Sequence, residues 1–158
     1  EGVDEIITTE ASEFSGKTDI EVDPVLRGAF ESYFENLADA SGTMYASNII
    51  SSENLKKMVD AGDDSLYILS IRMEDDYNEG HIPGAELIAW GDGMQKQFGS
   101  LPADKKIVVY CYTGQTAGQT VAGLRVLGYD AVSLKGGMGK DANAPQGWSN
   151  QGYKTVSN

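Results

Sequence analysis

Residues 107–127, IVVYCYTGQTAGQTVAGLRVL, restrict what this chain can fold into more than any other stretch. Ile107-Val108-Val109-Tyr110 is a run of β-branched and aromatic residues, the composition of a buried strand. Val121, Ala122, Leu124, Arg125, Val126 and Leu127 then fit an amphipathic helix, closed by Gly128 as its C-cap. The loop between them, Cys111-Tyr112-Thr113-Gly114-Gln115-Thr116, holds the only cysteine of the protein. A thiol at the C-terminal end of a strand, facing the N-terminus of the next helix, sits where backbone N–H groups converge. Such a nest favours anions, and a thiolate is an anion. Two readings of Cys111 stay open on this geometry: a reactive or sulfur-binding thiol, and a small buried hydrophobe, the commoner fate of a free cysteine.

The rest of the chain supplies a frame for that unit. At 158 residues it fits one domain with a substantial core. One cysteine permits no internal disulfide. One histidine and one cysteine leave too few soft ligands for a zinc site, and no other cofactor motif appears. No apolar run reaches the length of a membrane span. A net charge of -12 argues against nucleic acid and anionic membranes as partners. Residues 1–45 carry eleven acids and two bases, net -9; residues 46–158 carry thirteen and ten, net -3. The acidity therefore belongs to an N-terminal extension, 1–45, set before a nearly balanced domain, 46–158.

The polar, acidic, aperiodic start suggests a lead segment that is partly disordered. It opens on Glu1 rather than Met, so a processed form is expected. A lead of this kind often follows a removed export signal, so the expected location is periplasmic or otherwise exported, with cytoplasmic as the alternative. Asp23-Pro24 predicts an N-cap with proline at the first helical position. Apolar residues recur at helical spacing from Val25 to Ala38. That stripe is expected to pack on the domain; a dimer arm or a lid is the alternative.

Asn48–Ile50 predicts a short strand, followed by a helix capped by Ser52 and ended by Gly62. Leu66–Ile71 reads as a buried strand, with Arg72 at its end, then a helical turn around Tyr77. A tight loop spans Gly80–Ala85, followed by a short strand over Ala85–Ala89 and a small helix over Met94–Phe98. After the central unit, Ala131–Leu134 predicts a strand and Gly136-Gly137 a turn, and Trp148 reads as core. Strands alternating with helices give an α/β fold with a mainly parallel sheet.

Three stretches together resemble the rhodanese-like domain family. They are SIRMEDDYNEGHIPGA, similar to a D-x-R…(E/D)-Y…GHIPGA motif; the cysteine loop CYTGQTAG after its apolar strand; and Leu134-Lys135-Gly136-Gly137-Met138, like an L-x-G-G tract ahead of a tryptophan. The likeness covers roughly residues 48–156. It implies a five-stranded, mainly parallel sheet with helices on both faces, preceded here by a helical extension. It also implies a sulfurtransferase: Cys111 takes a sulfane sulfur from a small donor such as thiosulfate or polysulfide, holds it as a persulfide, and passes it to a thiophilic acceptor such as cyanide, a thiol or a protein thiol. The amides of Tyr112, Thr113, Gly114, Gln115, Thr116 and Ala117 are the candidate cradle, and the Thr113 and Thr116 hydroxyls are candidate donors to a persulfide. Arg72 and His81 fall in the first motif, which mainly holds the domain together, so structural roles are expected for both.

Two departures bear on activity. Family loops commonly carry an arginine at the position of Thr116, and the family's strand-end aspartate is here Ser70. Without the loop cation the resemblance also fits a non-catalytic sulfur carrier or interaction module. The related phosphatases use a loop one residue longer that ends in arginine, and Ala117 stands there, which argues against phosphoryl transfer. A homodimer through the N-terminal helix is a possible assembly.

Overall fold

The structure, a computed structural model, describes residues 21–158. The acidic lead up to residue 20 lies outside the described residues, and with it most of the expectation of a disordered start. Five strands form one sheet in the order β1-β5-β4-β2-β3: β1 Ile49–Ile50, β2 Leu66–Ser70, β3 Ala85–Leu87, β4 Lys106–Tyr110 and β5 Ala131–Leu134. Every pairing is parallel. The sheet expected to be mainly parallel is therefore wholly so. All its strands end at one edge, and the segments that leave β2 and β5 there bond to the cysteine loop through Met73, Met138 and Gly139.

Helices cover both faces. On one, α2 (Ser52–Ala61) and α3 (Glu74–Glu79) bury Leu55 and Tyr77 against Ile68, Val108, Tyr110 and Trp148. On the other, α4 (Gln115–Val126) buries Ala117, Val121 and Leu124 against Leu69, Ile107 and Val109. Alternation along β4 sorts its side chains: Val108 and Tyr110 face one layer, Ile107, Val109 and then Cys111 the other. Trp148 is fully buried, as expected, and its indole N–H donates to the Lys154 carbonyl at 2.9 Å.

The caps explain the helix bounds. Asp23 accepts from the Val25 and Leu26 amides at 2.8 and 3.2 Å, with Pro24 as the first residue of α1 (Pro24–Asp39). The cap of α2 is Ser51 rather than Ser52: Ser51 has extended backbone and its hydroxyl accepts from the Asn54 amide at 3.2 Å. Ser52 is instead the first helical residue and is buried. In α4 the Tyr129 amide reaches the Leu124 carbonyl and the Gly128 amide that of Arg125, both at 3.0 Å, with Gly128 at φ 96°. That is a Schellman closure with glycine one residue beyond the cap.

Several strand and helix ends differ from expectation. Asn48 lies outside β1 because its backbone is left-handed, at φ 55°. The strands β2 and β3 stop at Ser70 and Leu87, and the segment at Met94–Ser100 is a 3₁₀ helix. The larger difference concerns α1. It lies along α4, yet none of its residues is buried. Ala29, Tyr33 and Leu37 are half-buried, while Val25 is 82% and Phe34 64% exposed. The apolar stripe is wider than a single helix–helix contact can cover, so only part of it packs on the domain.

Candidate active site

Cys111 follows β4, the middle strand, with its side chain on the α4 face and 3% of its surface exposed. Gly114 adopts φ 95°, where a side chain would be strained, and turns the loop so that α4 starts at Gln115. The Gly114 N–H donates to the Cys111 sulfur at 3.1 Å. Burial alone pushes the thiol pKa up. The Thr116 hydroxyl and the amides of Ala117, Thr113 and Gly114 outweigh that effect and hold it below the ordinary thiol value. The sulfur is thus polarised by amides and one hydroxyl, with no side-chain cation among these causes.

The expected loop residues do come together, in different roles. Thr113, Gly114 and Ala117 act on the sulfur through their amides, and Thr116 through its hydroxyl. Gln115 and Thr113 are exposed to solvent, whereas Ala117 is buried in the same layer as the sulfur. Tyr112 turns to the opposite side. Its hydroxyl accepts from the Met73 amide at 3.2 Å and donates to the Asp76 carboxylate. Burial, and then the hydrogen bond to Asp76, push this phenol up, so it remains a donor at neutral pH.

The glycine tract clamps the loop from the other direction. The Met138 N–H donates to the Cys111 carbonyl and the Gly139 N–H to the Tyr112 carbonyl, each at 2.8 Å. Gly137, at φ 57°, lies so close that a Cβ there would stand 2.5 Å from the Cys111 carbonyl oxygen. It would also stand 2.9 Å from the amide nitrogens of both Thr113 and Gly114. The pair Gly136-Gly137 is therefore a turn, as expected, and also the surface against which the cysteine loop is shaped.

Arg72 and His81 stand away from the sulfur. Arg72 is buried, donates through Nη2 to the Gly80 carbonyl, and places its guanidinium 5.5 Å from the Tyr110 ring centroid. Its Nε is buried without a partner. Ser70, where the resemblance expects aspartate, offers no carboxylate to that nitrogen; its hydroxyl accepts instead from the Arg72 amide at 3.4 Å. His81 stacks on Tyr77 with ring centroids 4.0 Å apart, and its Nδ1 is 2.9 Å from the Tyr77 carbonyl. Its backbone pairs with Val156 in both directions, at 2.8 and 3.0 Å. These contacts tie the first motif to the C-terminal segment.

Sequence reasoning overlooked the bracing of the loop by Asp76, Met73 and the Gly137–Gly139 amides. Asp76 and Tyr112 are 36 residues apart, and no local pattern marks such a pair. Among the described residues no three His, Cys, Asp or Glu side chains gather as they would around a metal ion. No helix among them is long and apolar enough to cross a membrane.

Comparison with known proteins agrees with this geometry. The family model described as the rhodanese-like domain matches residues 51–144. The chain is 30% identical over 115 residues to the probable adenylyltransferase/sulfurtransferase MoeZ of Mycobacterium tuberculosis, covering 69% of this chain and 28% of that protein. It therefore spans less than a third of the mycobacterial protein's length. It is 33% identical over 89 residues to the putative sulfurtransferase YtwF of Bacillus subtilis, covering 56% of this chain and 84% of the other. The solution structure of a rhodanese-like domain from Anabaena sp. is 31% identical with a TM-score of 0.56, over 68% of this chain and 77% of that one.

Proposed function

The chain belongs to the rhodanese-like domain family, and from that premise we propose that it is a sulfurtransferase acting through Cys111. The observation that carries the proposal is the cysteine sulfur itself, held 3.1 Å from the Gly114 amide in a nest that lowers its pKa. In the first half-reaction the Cys111 thiolate attacks the outer sulfur of a donor such as thiosulfate. A new S–S bond forms, the donor's S–S bond breaks, and sulfite leaves with the electron pair. The amides that polarise the thiolate then face the persulfide anion that replaces it. In the second half-reaction an acceptor, cyanide or a thiolate, attacks the outer sulfur of the persulfide. Its S–S bond breaks, thiocyanate or a new persulfide departs, and the Cys111 thiolate returns.

Intact mass measured after incubation with thiosulfate or polysulfide tests the first step. A gain of one sulfur atom is expected, lost on adding cyanide and absent in Cys111→Ser. A folded 158-residue chain that gains no sulfur from either donor refutes the reading.

A second reading, a sulfur carrier that loads without rapid turnover, is favoured by one feature: Thr116 occupies the loop position where a cation is commonly found. Steady-state thiocyanate formation separates the two, since a carrier loads sulfur and releases it without sustained turnover.

A further inference from the structure

We propose that Lys140 supplies the cation that the cysteine loop lacks, and that it determines specificity for dianionic sulfur donors of the thiosulfate class. The inference deepens the sulfurtransferase reading and rests on it for the identity of the donor.

Two cations flank the Tyr112 ring, the residue next to the nucleophile: Lys140 Nζ at 4.6 Å from its centroid and Arg72 Cζ at 6.0 Å. Their circumstances differ. Arg72 is buried, and its Nη2 is committed to the Gly80 carbonyl. Lys140 is exposed to solvent, and among the described residues no carboxylate lies within ion-pair distance of its ammonium. Its backbone is held by two side chains, while its ammonium has no hydrogen-bond partner among the described residues. The Lys140 N–H donates to Asn143 Oδ1 at 2.8 Å, and its carbonyl accepts from Asn150 Nδ2 at 2.9 Å. The preceding residue is bonded to the Tyr112 carbonyl. A cation held only over an aromatic face, on a flexible four-carbon stem, can leave it for an anion that arrives at the neighbouring loop.

The nest itself favours a single thiolate or persulfide charge through dipoles. A donor with two negative charges brings a further anionic group that must remain outside the nest, where only a mobile side chain from another segment can meet it. Lys140 follows directly on the glycine tract that shapes the loop, with its ammonium 4.6 Å from the centroid of the Tyr112 ring. It keeps its proton throughout. Its part is to bind the departing sulfite-bearing end while the thiolate attacks the outer sulfur.

Because Cys111 is the only thiol, its alkylation reports on this field without any assumption about sulfur chemistry. The experiment compares second-order rates for the anion iodoacetate and the neutral iodoacetamide on the full chain at one pH. Lys140→Gln is expected to lower the iodoacetate-to-iodoacetamide ratio about threefold, and Lys140→Glu further, because a rim charge acts mainly on the encounter with charged ligands. The iodoacetamide rate should stay close to that of the parent protein, which shows the nest intact. Lys135→Gln is the control: its backbone carbonyl faces Ser52 of α2 and its amide the Ile50 carbonyl, away from Tyr112. For sulfur loading, KM for thiosulfate should rise in Lys140→Gln with kcat little changed. An unchanged alkylation ratio in both Lys140 variants overturns the inference. A ratio that falls while the parent protein gains no sulfur from any donor refutes the sulfurtransferase reading alone and leaves Lys140 as an anion-recognising residue of the cysteine pocket.

Discussion

Gly137→Ala is the substitution that best tests how the cysteine loop is built. Two costs coincide at this position. Its φ of 57° is left-handed, and an alanine there loses roughly 1–2 kcal/mol relative to glycine. Its Cβ would stand 2.5 Å from the Cys111 carbonyl oxygen, on backbone that no side-chain rotation can move. Such overpacking typically adds about 1–3 kcal/mol. The sum, roughly 2–5 kcal/mol, is a large part of the 5–15 kcal/mol that holds a typical domain folded. Two controls separate the terms. Gly62 has φ 65° with no atom within 4 Å of its would-be Cβ, so Gly62→Ala measures the backbone cost alone. Gly118 lies within α4 with the same open space and no left-handed φ. Gly118→Ala should therefore stabilise the protein by about 0.5–1 kcal/mol. Urea unfolding gives the three values, and the iodoacetamide rate of Cys111 in the folded Gly137→Ala protein shows whether the loop has shifted. The reasoning is refuted if Gly137→Ala costs no more than Gly62→Ala, or if it is destabilised while the Cys111 rate stays as it was.

Thr116→Val should move the pH midpoint of Cys111 alkylation upward, because it removes the hydroxyl that donates to the thiolate, and a hydrogen bond to a charged group is worth about 1.5–3 kcal/mol. The sign follows from the lowered thiol pKa: losing a donor to the thiolate returns the group toward its ordinary value, so less thiolate is present at neutral pH. Thr116→Arg adds a cation at the cost of that hydroxyl; kcat/KM for thiosulfate is expected to rise, and an unchanged or lower value would show that charge is not what limits the site. Tyr112→Phe removes the bonds to Asp76 and Met73, and should destabilise the fold by about 1–2 kcal/mol, read from the urea midpoint. A chain beginning near Tyr45 should remain folded by circular dichroism, since all five strands come later; complete unfolding would make α1 part of the domain's core.

What the sequence made legible was local. The strand–loop–helix around Cys111, the Asp23-Pro24 cap and the parallel alternation all follow from patterns within a few residues, and all are present. Tyr112 shows where that reasoning stops. Its place in the loop made it one more candidate amide, yet its side chain is committed to α3 through Asp76. The role of Gly137 was likewise half visible: a glycine pair marks a turn, but only packing shows that the turn presses on the Cys111 carbonyl. At α1 the periodicity predicts the helix and its packing on the domain but not the extent of that packing, because a helical stripe says how much apolar surface exists and not how much of it a neighbour can cover. Ser51 and Ser52 are two adjacent hydroxyls of equal capping propensity, and backbone conformation decides between them.

The means of lowering the Cys111 pKa bears on what the site can bind. A cation beside the sulfur would stabilise thiolate and donor alike, and would attract any anion to the loop. Here the stabilisation comes from a hydroxyl and three amides aimed at one atom, whose dipolar influence fades over a shorter distance than that of a net charge. The nest can therefore hold a thiolate or a persulfide without extending a strong positive field to the mouth of the site. On the sulfurtransferase reading proposed above, recruitment of the donor is left to groups outside the loop. Formation of the nucleophile and selection of its partner are then separable properties, carried on different segments. That separation is the reason substitutions at Thr116 and at Lys140 are expected to act on different measurements: the first on the pH midpoint with a neutral reagent, the second on discrimination between charged and neutral reagents at fixed pH.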